Sequence, residues 1–271
     1  MRIIDVPLEH LVPNGRAFNP SIIRVGNDIL FFYRFEKKDT FNTEIGMVKL
    51  DEKLKPIDST NTKLELKRFP VGVQTFDDPR AFLLQNDLYI VYAKGVLHPQ
   101  QVGGMWASGI GVARVKDGRV LHQGTPKWGK NQNYATGWAK MQSEKNWSPF
   151  EYDRKFYMVY TINPLVIIEY DPNSNRCHKV SETSFNQSFW RHGAFLGGGT
   201  SMMKRGDEYV GFFHCFTTDG KRSATSRTYN MGFYAIKNDL GFWKVTRMSK
   251  KPLMVAQWDW KHDLRKKDHN W

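Results

Sequence analysis

Two cysteines, Cys177 and Cys215, are all that the sequence contains. They cannot form a disulfide framework, and neither stands in a C-x-x-C or comparable ligand spacing, so a stapled scaffold and a structural zinc module are excluded. A reduced, cytoplasmic setting is the expectation. Apolar runs of about 18 residues are absent, and Met1 to Asp5 do not open a basic segment followed by an apolar one, so neither a membrane span nor a classical secretion signal is expected. The phosphate-loop, H-E-x-x-H, G-x-S-x-G and G-x-G-x-x-G patterns are missing, as is an acidic D-x-D triplet. Neither a metal nor a cofactor is therefore expected. Linkers rich in Ser and Gly or in Pro are missing too, and the chain reads as one domain over residues 1–271. Amphipathic stretches long enough for a helix are also lacking.

What is abundant is aromatic residues and positive charge. A hydrophobic fraction of 40% with 14% aromatics supports a packed core. Against 27 acidic residues stand 40 Lys and Arg, a formal net charge of +13. That field favours anionic partners such as nucleotides, sugar phosphates, acidic glycans or nucleic acid. Part of the excess lies in the run from Lys261 to Lys267, which reads as a solvated end.

Four segments share one pattern: FNPSIIRVGNDILFFYR (18–34), FDDPRAFLLQNDLYIVYAK (76–94), EKNWSPFEYDRKFYMVYT (144–161) and GGTSMMKRGDEYVGFFHCF (198–216). Each holds a short strand, a turn with Gly, Asn or Asp, and a second strand ending in aromatics, which is the signature of a hairpin. Pro20 to Tyr33, Pro79 to Tyr92, Trp147 to Tyr160 and Thr200 to Phe213 are each 13 positions apart. A second strand pair follows each hairpin, beginning at Ile45, Ile110, Val166 and Met231. Units of about four strands, repeated along the chain, predict an all-β propeller. Four blades are visible, and the N-terminal segment with Pro252 to Trp260 is placed to close a fifth.

The first strand of a propeller blade lines the central channel, so the repeat starts should converge there. They carry Asn19, Pro20 and Ser21; Asp77, Asp78, Pro79 and Arg80; Glu144, Lys145, Asn146 and Trp147; and Gly197 to Thr200. Arg34 and His214 end second strands, and Tyr160 ends the third. Asp77 and Asp78 are adjacent in a strand, so alternation predicts that only one faces the channel. Glycosidic chemistry needs a carboxyl that protonates the leaving oxygen, and hydrolysis usually needs a second. Asp78 is the candidate for the first and Glu144 for the second, with Glu144 as an ion-pair partner of Lys145 as the plainer alternative. Arg34, Arg80 and Lys145 are candidates to stabilise phosphate charge. Asn19 and His214 are candidates for sugar hydroxyls, and Trp147 or Trp190 for stacking on a ring face, with packing in the core as the plainer alternative for each Trp.

The sequence resembles the five-bladed propeller family of mannoside phosphorylases and their relatives, glycoside hydrolase family 130 and allied transferases. The motifs are NPSI with the later YR, DDPR, EKNWSPF with YMVY, and GGTS with the later FFH; together they cover most of residues 16–236. The resemblance implies five blades, a sugar pocket on the axis, and one essential general acid, which falls on Asp78. Lys145 matches the lysine of the family's KN motif. Positions where the phosphorylases carry His and Arg read Tyr157, Met158, Val159, Tyr160 and Thr161. The EKNW form therefore points to glycosyl transfer. The expected donor is a nucleotide-sugar or sugar-phosphate carrying a mannose-like residue. The acceptor is a glycan or another molecule, and a nucleic-acid acceptor is left open. A phosphorylase or hydrolase is the alternative, and a basic propeller that binds nucleic acid or acidic glycan without catalysis is the non-enzymatic one.

Overall fold

The computed structural model describes residues 6–12, 15–37, 42–68, 73–97, 106–128, 144–185, 196–218 and 227–257. Apart from two short 3-10 turns, their regular structure is all β. None of their helices is long and apolar enough to cross a membrane. Contacts group the chain into two compact units, Met1–Met158 with Ile168–Lys179, and Val159–Ile167 with Val180–Trp271.

The turns build the repeats. In the first, β1 (Gly15–Val25) meets β2 (Asp28–Lys37) across Gly26 and Asn27; in the second, β5 (Val73–Leu84) meets β6 (Asp87–Leu97) across Gln85 and Asn86. Two-residue hairpin turns with positive φ at both central residues match the right-handed twist of the strands. Gln85 and Asn86 have φ of 50° and 70°, and Asp117 and Gly118, joining β7 (Trp106–Lys116) to β8 (Arg119–Gly124), have 48° and 74°. With β3 (Thr43–Leu50) and β4 (Thr62–Lys63), these strands form an eight-stranded sheet ordered β1-β2-β3-β5-β6-β7-β8, in which β4 pairs with β3. Among the described residues its two halves are joined by one parallel bridge, Thr43 to Thr75.

The third repeat supplies a four-stranded sheet, β9 (Ser148–Tyr152), β10 (Lys155–Thr161), β11 (Leu165–Asp171) and β12 (Arg176–Thr183). In the fourth, β15 (Glu208–Thr218), β16 (Arg227–Asp239) and β17 (Phe242–Met248) form the body of a sheet. Short strands β13 (Gly197–Gly198) and β14 (Met203–Arg205) pair with β15. A last strand, β18 (Met254–Gln257), pairs with β16. The expectation that this C-terminal stretch helps close a fifth blade is corrected here, because it extends the fourth unit instead. The all-β class and the four repeat units stand; a fifth blade is not formed among the described residues.

Tight packing recurs at equivalent places. Tyr33, Tyr92 and Phe213 lie opposite Gly46, Gly111 and Gly232 in neighbouring strands, and each ring fills the space where a Cβ would stand. Alternation along β2 then divides the first repeat's core between two faces. Leu30 and Phe32 join Ile45, Leu64, Phe76, Ile90 and Tyr92 on one side. Phe31, Tyr33 and Phe35 join Leu8, Val12 and Val48 on the other.

Candidate active site

Each of the first two hairpins contains a proline where a central strand would reject one, because Pro cannot donate to the ladder. A bulge resolves the conflict. Phe18 pairs with Arg34 and Ser21 with Phe32, so Asn19 and Pro20 together oppose Tyr33. Asp77 pairs with Ala93 and Arg80 with Val91, so Asp78 and Pro79 oppose Tyr92 in the same way. An extra residue on one strand bends it and re-aims its side chains. Asn19 and Asp78 take the left-handed conformation, with φ of 52° and 53°, and Asn146 at the start of the third repeat does likewise at 68°. Asn and Asp tolerate that region better than other residues with a Cβ.

The two bulges bring their polar side chains together in the first unit. Asn19 Nδ2 donates to Asp78 Oδ1 at 2.5 Å. Arg34 Nε lies 2.9 Å from Asp77 Oδ1, an ion pair whose N–H is not aligned as a hydrogen bond, and its NH1 lies 3.9 Å from Asp78 Oδ1. The guanidinium sits over the Phe18 ring, 4.4 Å from its centroid. Arg80 is buried and donates to the Asp78 carbonyl at 3.4 Å and to Asn146 Oδ1 at 3.3 Å. Opposite-face alternation of Asp77 and Asp78 therefore does not hold. The bulge and the left-handed φ at Asp78 interrupt it, and both carboxylates reach the same guanidinium.

Burial pushes the Asp77 carboxyl above the ordinary carboxylate range, against the pull of the Arg34 charge and the Thr43 hydroxyl; the neighbouring Asp78 charge adds to the upward push. Thr43, which the sequence reading did not single out, is buried and donates from Oγ1 to Asp77 Oδ1 at 2.5 Å. Thr43 Oγ1 also accepts from Phe76 N at 3.1 Å. A polar residue just ahead of the second strand pair was the only signal for it.

Other candidates fall outside this cluster. Glu144 accepts from Trp147 Nε1 at 3.2 Å, and Trp147, only 1% exposed, is a core side chain and offers no ring face for stacking. Lys145 is exposed and, among the described residues, makes neither the ion pair with Glu144 nor another polar contact. Thr200 and His214, both in the second unit, line a small cavity of about 140 Å³ with Tyr229 and Met254. There Thr200 Oγ1 accepts from Phe212 N at 3.1 Å, and Gly197 faces His214 across the sheet. Tyr160 is half-buried in β10. Trp190 lies outside the described residues.

No family model matches the sequence, and no curated protein matches it. Solved structures do match. A glycosyl hydrolase from Bacteroides ovatus superposes with a TM-score of 0.53 at 12% identity, over 88% of this chain and 71% of that one. A structure reported for glycoside hydrolases of the GH130 family of mannoside phosphorylases, which target β-1,2 mannosidic linkages in Candida mannan, gives 0.51 at 13%, over 88% and 71%. The β-1,2-mannobiose phosphorylase of Listeria innocua, solved with β-1,2-mannobiose, gives 0.54 at 10%, over 89% and 78%. At these identities the likeness is one of fold.

Proposed function

We propose that this protein cleaves a glycosidic bond, with Asp78 as the proton donor to the leaving oxygen and a mannoside as the substrate class. One observation carries the reading. Asp78 is held at a left-handed bulge, a conformation that strains most residues, with a donated hydrogen bond on one carboxylate oxygen and Arg34 beside it. Side chains fixed in this way are preorganised for proton transfer. The names of the similar structures, hydrolases and a phosphorylase of β-1,2-linked mannosides, support cleavage, and the transfer from a nucleotide-linked donor suggested by EKNW gives way to it.

Between hydrolysis and phosphorolysis, the arginines favour hydrolysis. Binding phosphate calls for uncommitted cations. Arg34 is engaged by Asp77 and Asp78, and Arg80 by the Asp78 carbonyl and Asn146. Asp77 is committed in turn to Arg34 and Thr43, and Glu144, outside the cluster, to Trp147, so the water-activating base is not assigned to either. Phosphorolysis is the second reading, favoured by the exposed Lys145 beside Asn146.

The test is turnover of β-1,2-mannobiose and other β-mannosides with and without inorganic phosphate. The expected result is release of free mannose without phosphate, reduced about 10²- to 10⁴-fold in Asp78→Asn. Mannose 1-phosphate formed only with phosphate would select the second reading. A wild-type protein inert toward every glycoside, or an Asp78→Asn protein of undiminished activity, would overturn the first.

A further inference from the structure

We propose that Thr43 is a positioning residue of this site: its hydroxyl fixes the Asp77 carboxylate and, through it, the Arg34 guanidinium that faces Asp78. The proposal rests on the reading of Asp78 as the reacting group only for its catalytic consequence; the positioning itself stands on geometry. Asp77 Oδ1 receives two groups, the Thr43 hydroxyl at 2.5 Å and Arg34 Nε at 2.9 Å. A hydrogen bond from Thr75 acts on the same carboxylate, and together these contacts leave the side chain little rotational freedom. Arg34 is gripped between it and the Phe18 ring, so its NH1 end is directed at Asp78 Oδ1.

A plain structural role would need less. Among the described residues Thr43 forms the one parallel bridge between the halves of the eight-stranded sheet, and backbone groups suffice for that. Its hydroxyl does more, tying Phe76 N to the carboxylate of the next residue along the strand. The hydroxyl acts on the charged form of Asp77, since an O–H donor stabilises a carboxylate. The charged groups that face Asp77 are Arg34, which also stabilises the carboxylate, and Asp78, which opposes it. Without the hydroxyl, Asp77 takes up its proton at higher pH and releases Arg34 from its fixed orientation.

The experiment is a carbon-13 NMR titration of the Asp77 carboxyl in wild type, Thr43→Val and Thr43→Ser. In Thr43→Val the Asp77 step moves up by about one pH unit, the order expected for one hydrogen bond to a charged acceptor. Thr43→Ser restores it. A protein that loses stability in Thr43→Val while its Asp77 step stays in place has a Thr43 that only supports the fold, and that result overturns the proposal, as does failure of Ser to restore the step. Wild type alone offers a second measurement if Thr43→Val does not fold. The Thr43 hydroxyl proton should be protected from solvent exchange and shift in step with the Asp77 titration; rapid exchange at every pH overturns the proposal. These readouts require no turnover, so they stand apart from the assay of β-mannosides. Where turnover is measured, Thr43→Val lowers kcat about tenfold with KM little changed, and an unchanged kcat counts against the proposal.

Discussion

Lys94 is the group whose perturbation gives the sharpest number. It follows Ala93 in β6, lies opposite Phe76, is 6% exposed, and bonds through Nζ to Thr125 Oγ1. Burial lowers its amine from the ordinary 10.5 to about 8. The folded state therefore binds this proton less tightly than the unfolded chain does, and the cost of burial is fully present below about pH 8. It fades as pH rises from about 8 to about 10.5, where the unfolded chain also loses the proton. A span of about 2.5 pH units, at about 1.36 kcal/mol each, makes that cost about 3 kcal/mol at pH 7. Lys94→Met keeps most of the side chain's shape and removes the charge. It also loses the bond to Thr125, worth about 1 kcal/mol. The variant should be more stable than wild type by about 2 kcal/mol at pH 7, with the gap closing through pH 10. Urea unfolding of both proteins at matched pH values from 6 to 10.5 measures this directly, and titrations common to both proteins cancel in the difference. A difference independent of pH, or a variant less stable at pH 7, would show that Lys94 is not held as a buried amine and would refute the reasoning.

Asn19 separates conformation from hydrogen bonding. Asn19→Gly should unfold within about 0.5 kcal/mol of wild type, because Gly accepts the left-handed φ, whereas Asn19→Ala should lose about 1–2 kcal/mol; both should lose activity if the amide on Asp78 matters, and chemical denaturation beside turnover decides it. Gly111→Ala should cost about 3 kcal/mol, since the Tyr92 ring occupies the place of the new methyl, whereas Gly26→Ala, with open space around it and a φ of 59°, should cost about 1 kcal/mol. Equal losses at the two glycines would mean that ring packing is not what fixes position 111.

The hairpins were legible because their punctuation is local: Gly26 with Asn27, Gln85 with Asn86, and Asp117 with Gly118 fix turns over two residues each. The common spacing to Tyr33 and Tyr92 was legible because it counts residues from a bulge to the ring that faces it. The convergence of Asp77 and Asp78 was not, since period-two alternation assumes an unbroken ladder and the bulge breaks it. Thr43 escaped notice because its partner is 34 positions away and reaches it only through the bridge to Thr75. Of the two readings open for Trp147, sugar platform or core ring, the structure selects the core, which composition could not decide because it marks a large ring without saying whether it is covered. The C-terminal strand joined β16 because β17 pairs only with Tyr234–Asp239 and leaves the Thr228–Met231 stretch open to another strand.

Three repeats share a backbone conformation that only short polar residues or glycine occupy at low cost. A repeat of this kind sets out Asn or Asp at the same place in each copy for reasons of chain geometry alone, before any chemistry is selected. From that starting point an acid is one amide-to-carboxyl exchange away. In this chain the exchange distinguishes Asp78 from Asn19 and Asn146, so copies that are alike in backbone can differ in task. The side chains at such positions can diversify freely within that small alphabet while the fold stays constant.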